Sequence, residues 1–262
     1  MLSAKNLFQE ILDDDGSFRL FCSIAASGES QGGWENGRIA ALVPASQRAL
    51  APKIARHGAD EDKHGRIFHA LLRKRGLTAV PVPEDTDYTM LLEKHGIGLA
   101  HEQLGREEPL TEHDIITYLA HSRVTEQRAS EQMRLLLRYF ADHPDLGRAV
   151  RMISNDEDNH LAYCHEELLR FAAAGHGRTI QHTLRVCALA EIRVYRDVSL
   201  AVMEHMGRVL GWSRARAAAL AAGIHAVYAY ERLLGWRRMV SLAPPGRADA
   251  LGGPVAPAPE FA

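Results

Sequence analysis

The stretches "DEDKH" at residues 60–64 and "DEDNH" at residues 156–160 decide how this chain is interpreted. Each copy holds the pattern Asp-Glu-x-x-His, with Asp60, Glu61 and His64 in the first and Asp156, Glu157 and His160 in the second. A helix turns about 100° per residue, so the Glu and the His of each copy share one helix face. Two such faces can converge on a pair of metal ions. The simpler alternative is a helical binding module whose acidic turns are only solvated.

A dinuclear site also needs one carboxylate from the helix before each motif. Glu35 lies 26 residues before Glu61, and Glu131 lies 26 residues before Glu157, so the 96-residue offset between the motifs relates these two as well. Both midpoints fall in predicted turns. Residues equally far from a turn lie at the same height in antiparallel helices, so we expect Glu35 opposite Glu61 and Glu131 opposite Glu157.

Two other glutamates, Glu29 and Glu126, also precede the turns and are alternatives to Glu35 and Glu131. They have no counterpart at the 96-residue offset. Glu126 is also 140° around the helix from Glu131 at about 100° per residue. The sequence therefore favours a surface position for both.

Composition indicates an ordinary globular protein. Hydrophobic residues make up 46% of its 262 residues, charged residues 24%, and the net charge is −2, which gives no reason to expect nucleic acid or an anionic membrane as a partner. No apolar run reaches the roughly 18–20 residues of a membrane span, and the acidic N-terminus does not resemble a signal peptide. Three well-separated cysteines fit a reducing compartment, so we expect a cytoplasmic protein.

Apolar residues recur at helical spacing almost throughout, which predicts an all-α fold. The expected domains are a bundle at 1–175, a helical pair packed on it at 176–241, and a disordered Ala/Pro/Gly-rich tail at 242–262. The predicted helices are 3–13, 17–43, 53–75, 111–142, 146–174, 179–209 and 213–240, with Thr111 and Ser213 as N-caps. Four glycines between residues 28 and 37 predict a bend or break in the second of these.

The predicted order of elements is a helix pair, a long crossover and a second helix pair. Together with the two motifs, this order resembles the ferritin-like dinuclear carboxylate superfamily over residues 17–174. The resemblance implies a four-helix bundle with two additional C-terminal helices. It also implies six metal ligands, namely Glu35, Glu61, His64, Glu131, Glu157 and His160. Asp60 and Asp156 are then hydrogen-bond acceptors for the ligand histidines, or simply solvated side chains.

The function that this resemblance implies is an O₂-activating dinuclear non-heme iron oxidase or oxygenase acting on a small organic substrate. It would need two iron ions, or a manganese–iron pair, and an external electron donor. A ferritin- or rubrerythrin-type ferroxidase or peroxidase is the alternative, and the extra C-terminal helices favour the oxygenase because iron storage needs only four helices. A homodimer is one candidate assembly.

Several other residues are open to two interpretations. Gly28 and Gly32 lie on the predicted Glu35 face, where missing side chains can open a substrate cavity or reflect loose packing. Trp34, Tyr139 and Tyr163 are candidate redox relays, although core packing is the simpler role.

Overall fold

A computed structural model describes residues 3–242, and within that range the protein is all-helical, without a strand. The helices are α1 (Ala4–Asp13), α2 (Asp15–Leu42), α3 (Ala51–Lys74), α4 (Tyr88–Lys94), α5 (His101–Leu104), α6 (Glu112–Phe140), α7 (Gly147–Phe171), α8 (Gly177–Val209), α9 (Arg214–Tyr230) and α10 (Trp236–Met239). None of them is long and apolar enough to cross a membrane. The predicted disordered tail lies outside the described residues, except for residue 242.

Helices α2 and α3 form an antiparallel hairpin in close contact. The predicted break in α2 does not occur, and Gly33 lies at a close contact with α3. A Cβ on Gly33 would lie 2.4 Å from Asp62 Oδ1, and a Cβ on Gly58 of α3 would lie 3.0 Å from the Gly33 carbonyl oxygen. Larger residues would push the helices apart, so the contact outweighs the helix-propensity cost of glycine, about 1 kcal/mol per residue.

Helices α6 and α7 form the second hairpin. The predicted N-cap is confirmed: the Thr111 hydroxyl accepts a hydrogen bond from the Asp114 amide, and the Asp114 carboxylate accepts one from the Thr111 amide. Residues 141–146 connect the two helices. The crossover between the hairpins is fastened to α2 by Arg38, whose guanidinium donates to the carbonyl oxygens of Leu104 and Arg106.

The chain after residue 176 packs firmly on this arrangement. Helix α8 contributes Ile180, Leu184 and Ile192 to the largest hydrophobic core. Ser213 caps α9 as predicted, since its hydroxyl accepts a hydrogen bond from the Arg216 amide. The predicted helix 213–240 is confirmed: residues 214–239 are helical without a gap, and a π-helical segment at 231–235 joins α9 to α10.

Two hydrophobic cores lie at opposite ends of the hairpins. One includes Phe18, Phe68 and Ile153, and the other includes Ile54 and Leu168. The motifs at 60–64 and 156–160 therefore fall between two apolar layers.

A buried ion network fastens the C-terminal helices to α6. Arg128, 7% exposed, donates to both carboxylate oxygens of Glu191 and of Glu231. Arg238 donates in turn to Glu231 and Glu131. Removing one member of such a network leaves a buried charge without its partner, which is costly.

We expect Arg128→Met to lower the free energy of unfolding by about 3–5 kcal/mol, because fully buried Glu191 loses its counter-charge. Urea unfolding followed by circular dichroism measures this. The control is Arg134→Met. Arg134 lies on the same helix but is 56% exposed, and its ion pair with exposed Asp158, at 3.5 Å, contributes little to stability. Equal losses in the two variants would contradict a stabilising role for the network.

Candidate metal centre

Two groups of carboxylates and imidazoles meet in the layer between the cores, and both include Glu61. The first group is Glu29, Glu61, His64 and Glu157, and the second is His57, Glu61, Glu126 and His160. In each group, one ligand atom per residue lies within 4.8 Å of all the others. Four helices, α2, α3, α6 and α7, supply these side chains. Buried His and Glu side chains so arranged can hold a metal ion.

His64 is completely buried and has carboxylates on both sides of its ring. Its Nδ1 lies 3.1 Å from Glu29 Oε2 and 3.6 Å from Glu157 Oε1, inside the first group. Its Nε2 lies 3.0 Å from Asp156 Oδ2. A proton on Nε2 donated to Asp156 leaves the Nδ1 lone pair directed into the group, as a metal ligand requires.

His160 repeats this geometry in the second group. Its Nδ1 lies 3.5 Å from Glu126 Oε2 and 3.6 Å from Glu61 Oε1, and its Nε2 lies 3.5 Å from Asp60 Oδ2. Asp60 and Asp156 therefore each face the histidine of the opposite hairpin, not the one on their own helix.

A single lysine links these two aspartates. Lys63 Nζ lies 2.6 Å from Asp60 Oδ1 and 2.7 Å from Asp156 Oδ2. Its ammonium offsets part of their charge and ties α3 to α7. Both aspartates are thereby held beside the histidine rings.

The structure corrects the predicted positions of Glu35 and Glu131, neither of which belongs to either group. Glu35 lies 3.6 Å from His101 Nε2, beside the crossover. Glu131 accepts two hydrogen bonds from Arg238, in the C-terminal network. Glu29 and Glu126, which the sequence favoured as surface residues, take their places.

The two predictions fail for different reasons. In the first hairpin the height is wrong: the midpoint between the end of α2 and the start of α3 falls between residues 46 and 47, so Gly32, not Glu35, is level with Glu61. A Cβ on Gly32 would lie 3.1 Å from Glu61 Oε2, which agrees. In the second hairpin the predicted height of Glu131 is nearly right, because the neighbouring Ser130 hydroxyl donates a hydrogen bond to Asp158 Oδ1, next to Glu157. Glu131 itself, however, points to the outer side of the hairpin.

A different rule would have found the right pair. Glu29 is level with His64, because their midpoint also falls between residues 46 and 47, and the midpoint of Glu126 and His160 is residue 143, inside the second connection. The upstream glutamate thus pairs in height with the His of each motif. The offset between Glu29 and Glu126 is 97 residues, one more than the offset between the two motifs. A search that tolerated a difference of one residue would have kept them as candidate ligands.

Sequence reasoning missed His57, one turn before Glu61 on α3. It is 2% exposed, and its ring stacks on that of His160 at a centroid separation of 3.8 Å. Its Nε2 lies 3.1 Å from Glu61 Oε1 and 3.2 Å from Glu126 Oε1. The i, i+4 spacing to Glu61 is the signal in the sequence, since it repeats the face of the motif.

A chain of hydrogen bonds sets the protonation of His57. The Tyr118 hydroxyl donates to Asn36 Oδ1 at 2.7 Å, so the Tyr163 hydroxyl donates to Tyr118, also at 2.7 Å. The Tyr163 oxygen then accepts from His57 Nδ1 at 2.8 Å. The Nδ1 proton is therefore held away from the cluster, and Nε2 faces the carboxylates.

Without metal, protons balance the clustered charge. Burial, reinforced by the Glu61 carboxylate, holds the pKa of Glu29 well above its usual range, and burial together with Glu126 does the same for Glu157. Burial alone would lower the pKa of His57, but Glu126 and Glu61 raise it to about 10. His57 in turn overcomes the effect of burial on Glu126, whose pKa falls well below normal.

The donor set fits a divalent metal. Glu126 Oε2, Glu157 Oε2 and both ring nitrogens of His160 are buried without a hydrogen-bond partner within the described chain. Unpaired buried polar atoms are costly, and metal coordination would satisfy them. Carboxylate oxygen and imidazole nitrogen suit iron or manganese, and four glutamates balance the charge of two divalent ions.

A cavity of about 360 Å³ adjoins the cluster. Glu29, Glu61, Glu126 and Glu157 form part of its wall, and Gly28 and Gly32 lie along it. A Cβ on Gly28 would meet nothing within 4 Å, so that glycine leaves space open.

Comparison with known proteins identifies no relative. No family model, no curated protein and no solved structure matches the chain.

Matched substitutions separate the two sets of upstream glutamates. We expect Glu29→Gln and Glu126→Gln to weaken metal binding at least about 10-fold, because each removes a carboxylate of a group. Glu35→Gln and Glu131→Gln should bind metal like the unaltered protein. Metal per chain after anaerobic Fe²⁺ loading and desalting measures this. Loss of metal from the second pair, with retention by the first, would contradict the proposed grouping.

The metal-free protein should lose stability as the pH rises. The pKa of His57 is raised from 6.5 to about 10 on folding, so its stabilising contribution is complete below about pH 6.5 and is lost as the pH approaches 10. The raised pKa values of Glu29 and Glu157 act in the same direction. We expect the Tm of the metal-free form to fall by more than about 5 °C between pH 6.5 and 9.5.

The metal-loaded form is the control for this measurement, since bound ions replace those protons. Its Tm should change less over the same range. Equal pH dependence of the two forms would contradict the assigned protonation.

Proposed function

We propose that this protein is a dinuclear non-heme iron oxidase or oxygenase with a ferritin-like four-helix arrangement. The observation that carries the proposal is the convergence of Glu29, Glu61, Glu126 and Glu157 with three buried histidines between two hairpins. Glu29, Glu157 and His64 would hold one ion, Glu126, His160 and His57 the other, and Glu61 lies between them. Two ions held there would supply Lewis acidity and would pass electrons from an external donor to O₂.

The protein's own residues prepare the site for this chemistry. Asp156 accepts a hydrogen bond from His64 Nε2 and orients that ring so that Nδ1 faces inward, and Asp60 lies 3.5 Å from His160 Nε2 on the corresponding side. The chain from Asn36 through Tyr118 and Tyr163 fixes the ring of His57. Hydrophobic cores lie on both sides of the cluster and restrict the access of water, which limits side reactions of reactive species.

The adjoining cavity favours an organic substrate over iron handling. Its volume of about 360 Å³ falls in the range of small-molecule sites, and much of its wall is aliphatic or aromatic. Hydroxylation of such a substrate consumes one O₂, two electrons from an external donor and two protons, and yields the alcohol and one water. A ferroxidase needs no apolar cavity beside the metals.

Anaerobic Fe²⁺ loading followed by exposure to O₂ tests the proposal. We expect two iron ions per chain, consumption of O₂ and a new absorption band in the visible region. Glu61→Gln should abolish all three, since Glu61 belongs to both groups. Glu107→Gln is the matched control, because Glu107 is 90% exposed and belongs to neither group.

Two outcomes would overturn the proposal. One is a protein that remains iron-free after loading. The other is iron uptake with O₂ consumption that continues in proportion to added Fe²⁺ and forms ferric mineral, which is the behaviour of a ferroxidase.

A further inference from the structure

The cavity is lined by both apolar side chains and carboxylates. Its walls include Ile24, Ile39, Leu92, Leu99 and Val198. The cluster carboxylates also line it, as does Glu35, which lies farther along α2 than Gly32. Gly28, Gly32 and Glu35 follow at i, i+4 and i+7, so they share one face of that helix. Glu35 is three residues beyond Gly32, about 4.5 Å along the helix axis.

The cavity offers no free cation to an anionic ligand. Among its lining residues in the described chain, Arg128 is the only Arg or Lys, and its donors are occupied by Glu191 and Glu231. Two histidines also line the wall: His57 is paired with two of the cluster glutamates, and burial lowers the pKa of His121 to about 4 and keeps it neutral. A buried carboxylate ligand would therefore find a counter-charge only in metal ions of the cluster, whose charge the four glutamates already balance.

Glu35, in contrast, is a weakly compensated carboxylate: burial raises its pKa to about 7, although His101 and a side-chain hydrogen bond from Gln31 lower it, so Glu35 is ionised at pH 8. Its ion-pair partner within residues 3–242 is His101, whose Nε2 lies 3.6 Å away, too far for a good hydrogen bond. His101 Nδ1 already pairs with Glu93 at 2.5 Å. Metal ions would neutralise the four cluster glutamates, so Glu35 is the remaining unbalanced carboxylate on the cavity wall.

We propose that the cavity binds a small primary amine as its ammonium ion, with the charged nitrogen on Glu35 and the apolar body beside Gly28 and Gly32. This inference rests on the proposed function, because it names the substrate class of the same site. The ammonium lies beyond the level of the cluster, so the apolar end of the molecule faces the metal ligands. His121 Nε2, buried without a partner in the described chain, is available to a further polar group of the ligand.

Three probes with the same ring test the charge preference: phenethylamine, phenethyl alcohol and phenylacetate. Calorimetric titration into zinc-loaded protein at pH 8 measures binding without turnover. We expect the amine to bind at least about 10-fold more tightly than the alcohol, because only the amine gains an ion pair with Glu35. Phenylacetate, whose carboxylate can reach only the metal ions, should bind with an affinity that does not depend on Glu35. An equal affinity for the alcohol and the amine, or no binding of the amine at millimolar concentration, would overturn the proposal.

Two substitutions locate the effect. Glu35→Gln should bring the amine-to-alcohol preference to about one and leave the affinity for the alcohol unchanged, whereas the surface control Glu107→Gln should keep the preference. Gly28→Leu should weaken all three probes by filling the cavity, and a Tm measurement verifies that the variant folds. A preference that survives Glu35→Gln sinks the proposal.

Repeating the titration on metal-free protein separates this inference from the proposed function. Amine binding that depends on Glu35, in a protein that never takes up iron, would refute the oxygenase and keep the binding site. Normal iron uptake and O₂ consumption without any amine preference would refute only the amine.

Discussion

The burial of four glutamates in one layer of a helical protein is the constraint on which the rest of the structure depends. Like charges this close repel strongly in a low-dielectric interior. The protein meets the cost with His57 between Glu61 and Glu126, with protons on Glu29 and Glu157, and with imidazoles directed inward. A protein under no functional demand would place apolar residues there, since well-packed hydrophobic side chains are often as stable as buried charges.

The surrounding architecture holds that layer in place. Close glycine contacts lock α2 against α3, and apolar cores lie above and below the cluster. The buried ion network around Arg128 lies on the same helix, and Glu131 belongs to it through its hydrogen bonds from Arg238. Two charge networks thus coexist on α6. The partner available to each carboxylate, not the residue type, decides whether it faces the cluster or the C-terminal helices.

Much of this fold was predictable from the sequence. Helical periodicity and the caps at Thr111 and Ser213 indicated an all-helical chain and most of its boundaries. The spacing of Glu61 to His64 and Glu157 to His160 brought four of the clustered residues together in advance. Glu29 and Glu126 were missed because the height of a residue in a hairpin depends on where the connection between the two helices begins and ends. An error of one residue in the offset was enough to exclude this pair. The side chain of Glu131 is directed by its hydrogen bond from Arg238, which is 107 residues away in the sequence. The local sequence pattern does not reveal a partner at that separation.

The double membership of Glu61 links the two halves of the cluster thermodynamically. An ion held by Glu29, Glu157 and His64 alters the charge and position of a carboxylate that the other half also uses. The two positions are then not independent, and reciprocity requires each to change the affinity of the other by the same factor. Occupancy of the cluster is consequently a cooperative property, to be described by a coupling constant and not by two separate dissociation constants.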